Sequence, residues 1–193
     1  MAVARRTILQ GIGVLGASLG VPRWASATTL AALGLEELVA QSPLVVDTLP
    51  VERRSEWLTV GGTRRIVTIT RLVHESVWRG PASAPSESEV LTWGGRIGEI
   101  GQKVHGEARL TIGEPLVLFL QDAAQSSWRV TGMAQGQFSV VGTGPDARLK
   151  RSSELPDLRG PTAGKRTAVE RLHSLRRAEA RKVVVELAQG LRP

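Results

Sequence analysis

The sequence contains no cysteine and no tyrosine, and only three histidines among its 193 residues. Without cysteine, the chain can form no disulfide, no thiolate metal site and no cysteine nucleophile. His74, His105 and His173 lack the paired spacing of a zinc-binding helix, so no metal site is predicted. No apolar run approaches the roughly 18 residues that a membrane-spanning helix needs.

Two glycine motifs are similar to nucleotide-binding loops, but neither has the context that this chemistry requires. The pattern G-x-G-x-x-G occupies residues 11–16, where no strand precedes it and no strand–helix–strand alternation follows. The run at residues 160–166 is shorter than a P-loop and has Arg166 where a magnesium ligand is needed. We therefore predict no cofactor.

The N-terminal segment has the features of an export signal. Arg5 and Arg6 precede a short, glycine-containing apolar run, and Ala25-Ser26-Ala27 supplies a small-x-small cleavage site. The arginine pair followed by x-Ile-Leu resembles the twin-arginine signal. Residues 1–27 are predicted to be this signal, which places the mature protein in the periplasm or outside the cell.

Positive charge is concentrated at the C-terminal end. Residues 146–193 carry 12 Lys or Arg against 6 Asp or Glu, whereas residues 28–145 carry 10 against 12. A basic tail of this kind can contact an anionic surface, but the favoured interpretation is the solvated face of a helix. The candidate contact residues on the predicted helix are Arg171, Arg177, Arg181 and Lys182.

The central part of the chain predicts a mainly β domain. Short runs rich in Val, Ile, Thr and Trp alternate with Gly- and Pro-containing turns, without intervening helices. This pattern favours a small antiparallel β-barrel or sandwich over residues 28–145, preceded by a short helix at 34–41. The predicted strands are 44–51, 56–60, 65–78, 89–93, 103–110, 116–121, 128–134 and 137–141.

The C-terminal part predicts a linker and a helix. Residues 146–166 contain proline and glycine and are predicted to be a linker. Thr167 and Glu170 fit a capping box, in which each side chain satisfies a backbone N–H at a helix start. An amphipathic helix is therefore predicted over 167–193, as one helix or as two short ones, since Arg176 and Arg177 interrupt its apolar stripe.

Several motifs resemble those of a set of exported bacterial proteins of undetermined function. They are GGRIGEIGQKVHGEA at 94–108, GE followed by LVLFL at 113–120, and WRVTGMAQGQF at 128–138. In outline the chain also resembles the netrin-like barrel, which is related to oligonucleotide- and oligosaccharide-binding (OB) domains. Netrin-like metalloprotease inhibitors use an N-terminal cysteine, which is missing here, so the resemblance implies a fold and no activity.

The glycine-rich stretch 94–106 and its neighbours are the candidate ligand site. Glycines permit close backbone approaches, which suit either a bent barrel corner or a loop that clasps a ligand. Trp93 precedes the stretch and can stack on a ligand, while carboxylates and a histidine lie within or beside it. The candidate ligand-binding residues are Trp93, Gly94, Gly95, Glu99, His105 and Glu107.

Three interpretations of function follow. The first is an exported, non-catalytic binding module, for which a protein or polysaccharide of the cell envelope is a better partner than nucleic acid. The second is a hydrolase of envelope or extracellular material that uses carboxylates at the barrel mouth. The third is an envelope-associated protein anchored by its basic C-terminal helix. Convergence of Glu99, His105, Glu107 and a tryptophan in one cleft would favour the hydrolase.

Overall fold

The computed structural model describes residues 30–123, 127–159 and 166–191. The predicted export signal at 1–27 lies outside these residues. The strands are β1 (Leu30–Ala31), β2 (Leu44–Val60), β3 (Thr63–Arg79), β4 (Glu87–Trp93), β5 (Gly95–Ile97), β6 (Ile100–Gln102), β7 (Leu116–Asp122), β8 (Trp128–Val130), β9 (Gln137–Val141), β10 (Arg148–Arg151) and β11 (Leu158–Arg159). The α-helices are α1 (Leu35–Ala40), α2 (Ala168–Leu172) and α3 (Arg177–Gly190).

Five strands close into a ring in the order β2, β3, β4, β8 and β7. The pairings are antiparallel except that of β4 with β8, which joins only Val90 to Trp128 in parallel. β9 pairs with the first half of β7, and β10 extends the sheet beyond the ring. The prediction of a mainly β fold with a short N-terminal helix and a C-terminal helix is confirmed.

The ring has an apolar interior and an apolar outer face. Leu116, Leu118 and Leu120 of β7 belong to the cluster inside the ring, whereas Val117 and Phe119 belong to the cluster under the helices. Side chains alternate between the two faces of a strand, so a strand covered on both faces is apolar at every position. This explains the continuous apolar run at 116–120, which is fully buried.

The helices cover the outer face of the ring. Leu35 and Leu38 of α1, Leu172 of α2, and Ala180 and Val184 of α3 are buried in the same cluster as Phe119. None of the helices among the described residues is long and apolar enough to cross a membrane. Since Leu172, Ala180 and Val184 are buried in this cluster, α2 and α3 form a packed layer of the fold.

The break between α2 and α3 matches the expected interruption. Thr167 accepts a hydrogen bond from the Glu170 N–H at 3.1 Å, and the Glu170 carboxylate accepts one from the Thr167 N–H at 2.8 Å, as the capping box predicts. Ser174 has a φ of +69°, which ends α2 before α3 begins. The alternative of two short helices is confirmed.

The β2–β3 hairpin extends well beyond the ring. β7 pairs with β2 only at residues 44–48, but the hairpin ladder continues to its turn at 61–62. The prediction of two separate strands at 44–51 and 56–60 is wrong, because register shifts as far as Pro50/Glu52 bend one continuous strand. Exposed ion pairs, such as Arg54 with Glu89 at 2.6 Å, link the strands where apolar alternation is lacking.

Three further segments differ from the prediction. The strand predicted at 128–134 ends at Val130, and a turn leads from it into the 3-10 helix Met133–Gly136. Residues 103–110 form an irregular loop, in which the Gln137 side chain bonds both the N–H and the C=O of Arg109 and so replaces a strand partner. Residues 146–166, predicted to be a linker, contribute β10 and β11 to the fold. β11 pairs with β1, so this segment ties the start of the described chain to its later part.

Candidate functional site

A cleft of about 290 Å³ opens between the β2–β3 hairpin and the loop that follows β6. Its volume is at the lower end of the roughly 300–1,000 Å³ of small-molecule sites. Four of its lining residues were predicted from the sequence, namely Trp93, Gly94, Gly95 and Glu107. The structure therefore brings the tryptophan and one carboxylate of the predicted site into one place.

The glycines allow the chain to fold tightly at this cleft. Gly94 has a φ of +93°, and a Cβ added there would lie 2.6 Å from the carbonyl oxygen of Gln102. Gly95 has a φ of +143°, and a Cβ there would lie 2.6 Å from the Ser55 hydroxyl. Both positions combine a close approach with a backbone conformation that other residues rarely adopt. These two glycines let β5 lie directly against the hairpin.

Polar side chains fix the wall of the cleft. The Thr68 hydroxyl donates to the carbonyl of Gly94 at 2.8 Å, and the Ile66 N–H donates to the Gln102 side chain at 2.9 Å. The Thr92 hydroxyl donates to the carbonyl of Thr68 at 3.3 Å. The side-chain NH₂ of Gln102 has no hydrogen bond to any described residue. Hydrogen bonds thus hold the wall in place, and the NH₂ group of Gln102 can still donate to a ligand.

Glu107 supplies a buried carboxyl group to the cleft. The residue is 6% exposed; its Oε1 accepts a hydrogen bond from the Ala108 N–H at 3.3 Å, and its Oε2 has no partner of acceptable geometry among the described residues. Burial raises the pKa of this carboxyl, and Arg129 with the backbone N–H groups of Ala108 and Trp93 opposes that shift in part. An unpartnered buried oxygen is costly in a folded protein, and a ligand can satisfy it.

Arg129 is the component that sequence reasoning missed. Its guanidinium lies over the Trp93 ring, 5.0 Å from the ring centroid, and its buried Nε has no hydrogen-bond partner among the described residues. The residue belongs to β8, which reaches β4 only through the pairing of Val90 with Trp128. No local pattern marks such a long-range contact. The stacked arginine orients Trp93 beside the carboxyl of Glu107.

Charged side chains line the rest of the cleft. The Glu154 carboxylate lies 3.6 Å from both Lys103 Nζ and Arg109 Nη1. Arg53 also lines the cleft and forms no ion pair with any described residue. Cations therefore outnumber acids here, and one of the acids comes from the segment predicted to be a linker.

Two predicted site residues lie elsewhere. Glu99 is exposed in the turn between β5 and β6, and His105 is exposed in the loop that follows β6. Neither lines the cleft. The convergence that would have favoured the hydrolase is therefore incomplete, because only Glu107 and Trp93 of the four groups meet.

The basic C-terminal residues are largely engaged within the fold. Arg177 lies 3.4 Å from the Asp47 carboxylate and 3.3 Å from that of Glu75, while Arg171 pairs with Glu36. Burial raises the pKa of Asp47, and Arg177 opposes that shift in part. Of the predicted contact residues, Arg171 and Arg177 thus form ion pairs with acids of α1 and of the β2–β3 hairpin.

Arg181 and Lys182 remain on the exposed side of α3. Lys182 lies 4.0 Å from Glu186 one turn later, a pairing of low strength at an exposed site. Arg181 is exposed and makes no ion pair within 4.0 Å to any described residue. Two of the four predicted contact residues are thus accessible to an external partner.

Within the described ranges, no three His, Asp or Glu side chains are grouped so that they could hold a metal ion. The sequence matches no family model and no curated protein sequence. The resemblance to exported bacterial proteins and to netrin-like domains therefore stays a prediction, and function has to be argued from the cleft.

Proposed function

We propose that the protein is an exported, non-catalytic binding module that takes a glycan of the cell envelope into the cleft beside Trp93. The observation that carries this proposal is that one cleft is lined by Trp93, Glu107 and Gln102, whose NH₂ group has no hydrogen bond to any described residue. Sugars present hydroxyl groups that bond to amide and carboxyl groups, and apolar C–H faces that pack on a tryptophan. The cleft volume of about 290 Å³ suits a single sugar ring better than a folded protein segment.

The surrounding groups match the same ligand chemistry. Thr70 and Thr92 add hydroxyls to the lining, and Gln102 adds an amide whose NH₂ group is not engaged by the described residues. Each of these groups can bond a sugar hydroxyl, which both donates and accepts. A site of mixed donors and acceptors around one aromatic ring fits a polyhydroxylated ligand better than an apolar one.

Calorimetric titration with envelope oligosaccharides, neutral and acidic, tests this proposal. Glu107→Gln and Trp93→Ala are expected to weaken binding about tenfold or more, because each removes a direct contact. Trp57→Ala is the matched control, since Trp57 is 39% exposed and lies outside the cleft. No binding, or binding that only Trp57→Ala weakens, would contradict the proposal.

Export is tested separately. Replacing Arg5 and Arg6 together by lysine is expected to retain the precursor in the cytoplasm, because twin-arginine recognition requires guanidinium groups and not charge alone. Cell fractionation followed by immunoblotting measures this. Normal export of the double variant would contradict the twin-arginine assignment and leave a general secretory signal.

A hydrolase is the second candidate, and one observation favours it. Glu107 and Glu154 line the same cleft, the first buried with a raised pKa and the second paired with cations. Glycoside hydrolysis uses two carboxyls held in such different environments as acid and as base or nucleophile. Release of reducing ends that Glu107→Gln abolishes would establish this activity and replace the non-catalytic proposal.

A further inference from the structure

A second groove continues from the cleft along the same hairpin. It measures about 390 Å³ and is lined by Arg53, Arg54, Ser55, Thr68, Gly95 and Arg96. Arg53, Thr68 and Gly95 line both the groove and the cleft. The two cavities are therefore parts of one elongated depression, with Arg53 where they meet.

Gly95 keeps the two parts connected. It has no side chain, and any Cβ there would collide with the hydroxyls of Thr68 and Ser55. A larger residue would force the β5–β6 hairpin away from β2 and β3 at the junction. The continuity of the depression thus depends on glycine at position 95.

The charge along this depression is positive. Arg96 is exposed, donates from Nε to the Gly98 carbonyl at 2.9 Å, and pairs with no carboxylate among the described residues. Arg53 is likewise without a carboxylate partner in that part of the chain. Arg54, by contrast, makes two hydrogen bonds to Glu89, at 2.6 and 3.2 Å. Two guanidinium groups therefore remain available on one side of the depression.

We infer that the cleft and the groove form one extended site for an anionic glycan, whose acidic groups pair with Arg53 and Arg96. This inference rests on the proposed function, because it assumes that a sugar ring occupies the cleft beside Trp93. Guanidinium groups bind carboxylate, sulfate and phosphate oxygens through paired hydrogen bonds. Lys103 and Arg109, which share the single carboxylate of Glu154, strengthen the positive potential at the other end.

The experiment compares oligosaccharides of about six units with and without acidic groups. A dextran sulfate oligomer, which supplies sulfates, is compared with neutral dextran of the same length, and oligogalacturonate, which supplies carboxylates, is compared with its neutral methyl ester. The acidic ligands are expected to bind at least tenfold more tightly than their neutral counterparts at low salt, and the difference is expected to shrink as salt screens the charges. The better of the two acidic probes identifies the acidic group.

Variants locate the contact. Arg53→Ala and Arg96→Ala are each expected to reduce affinity for the acidic probe about tenfold. Arg96→Ala is expected to leave affinity for neutral dextran unchanged, because Arg96 lines the groove and not the cleft. Arg53→Lys is expected to recover only part of the loss, since an ammonium cannot form the paired hydrogen bonds. Arg151→Ala is the matched control, because this exposed arginine on β10 lines neither cavity.

The outcomes distinguish this inference from the proposed glycan-binding function on which it rests. Equal binding of neutral and acidic probes would overturn the inference while supporting the glycan cleft. Absence of binding to every probe would overturn both. Tighter binding of single-stranded DNA than of either acidic oligosaccharide, with the same loss on Arg53→Ala, would overturn the glycan assignment in favour of nucleic acid.

Discussion

β2 is buried in its inner part, residues 44–50, and mostly exposed in its outer part, residues 51–60. Six of the seven inner residues are buried, but none of the outer ones is. The inner part packs against β7 and against the helices, whereas the outer part contributes Arg53, Arg54 and Ser55 to the cleft and the groove. One strand thus joins the part that holds the fold together to a part that can meet a ligand.

The first way to test this comparison is to damage the core that packs against the inner part of β2. Phe119 is fully buried and meets the Phe138 ring edge-on at a centroid distance of 6.0 Å. Phe119→Ala is expected to lower the free energy of unfolding by about 3–5 kcal/mol, measured by urea denaturation. Val141→Ala, at an apolar residue that is 52% exposed, should change it by no more than about 0.5 kcal/mol. Similar losses for both variants would contradict the assignment of the core.

The second test concerns the attachment of α3. Arg177→Ala leaves the Asp47 carboxylate buried without its partner, so the free energy of unfolding should fall by about 1–3 kcal/mol. Lys182→Ala, which removes an exposed lysine of the same helix, should have little effect. Glycan affinity should be unchanged in both. Loss of glycan binding in either variant would show that the two parts of the molecule are not separate.

The third test concerns glycines in and before the β5–β6 hairpin, which packs against the outer part of β2. Gly94→Ala would place a methyl group against the backbone of Gln102, whereas Gly98→Ala meets no atom within 4 Å although its φ is also positive, at +60°. We expect Gly94→Ala to cost about 1–3 kcal/mol and to abolish glycan binding, and Gly98→Ala to cost about 1 kcal/mol and to preserve binding. Thermal unfolding and calorimetry measure both effects. Equal behaviour of the two variants would show that the close approach at Gly94 has no role in shaping the cleft.

The smallest expected effect is the pH dependence of Glu107. Burial raises the pKa of this carboxyl in the folded protein, so its contribution to stability is present below the ordinary value of 4.5 and is lost as the pH rises through the raised pKa. Glu107→Gln removes this pH-dependent loss of stability, because the amide does not ionise. Its Tm relative to the wild type should therefore increase from pH 4 to pH 7.5, by about 2–4 °C for each kcal/mol. A constant difference in Tm across this pH range would show that Glu107 ionises without any loss of folding stability.

The inner part was predictable from the sequence because its signals are local. The apolar run at 116–120 predicts a strand buried on both faces, and Thr167 with Glu170 predicts the start of α2. The outer part was predicted less well, since its regularity depends on cross-strand ion pairs such as Arg54 with Glu89. Such ion pairs leave no pattern of alternating apolar residues in the sequence.

The candidate site was partly predictable for the same reason. Trp93, Gly94 and Gly95 are adjacent in sequence, and Glu107 directly follows the glycine-rich stretch 94–106, so one local region contains all four. Arg129 reaches Trp93 only because β4 and β8 close the ring, and Arg53 and Glu154 come from segments at least 40 residues away in sequence. Pairings of this range have no signature in a single sequence.

The most direct test of the account is the map of backbone amide shifts on ligand addition. ¹⁵N-labelled mature protein, titrated with oligogalacturonate, should show concentration-dependent shifts at residues 53–55, at 92–96 and at 102–110, with a change at the Trp93 indole. Residues of α3 should not move. Shifts confined to α3, and in particular to Arg181 and Lys182, would contradict the account and favour contact through the basic helix.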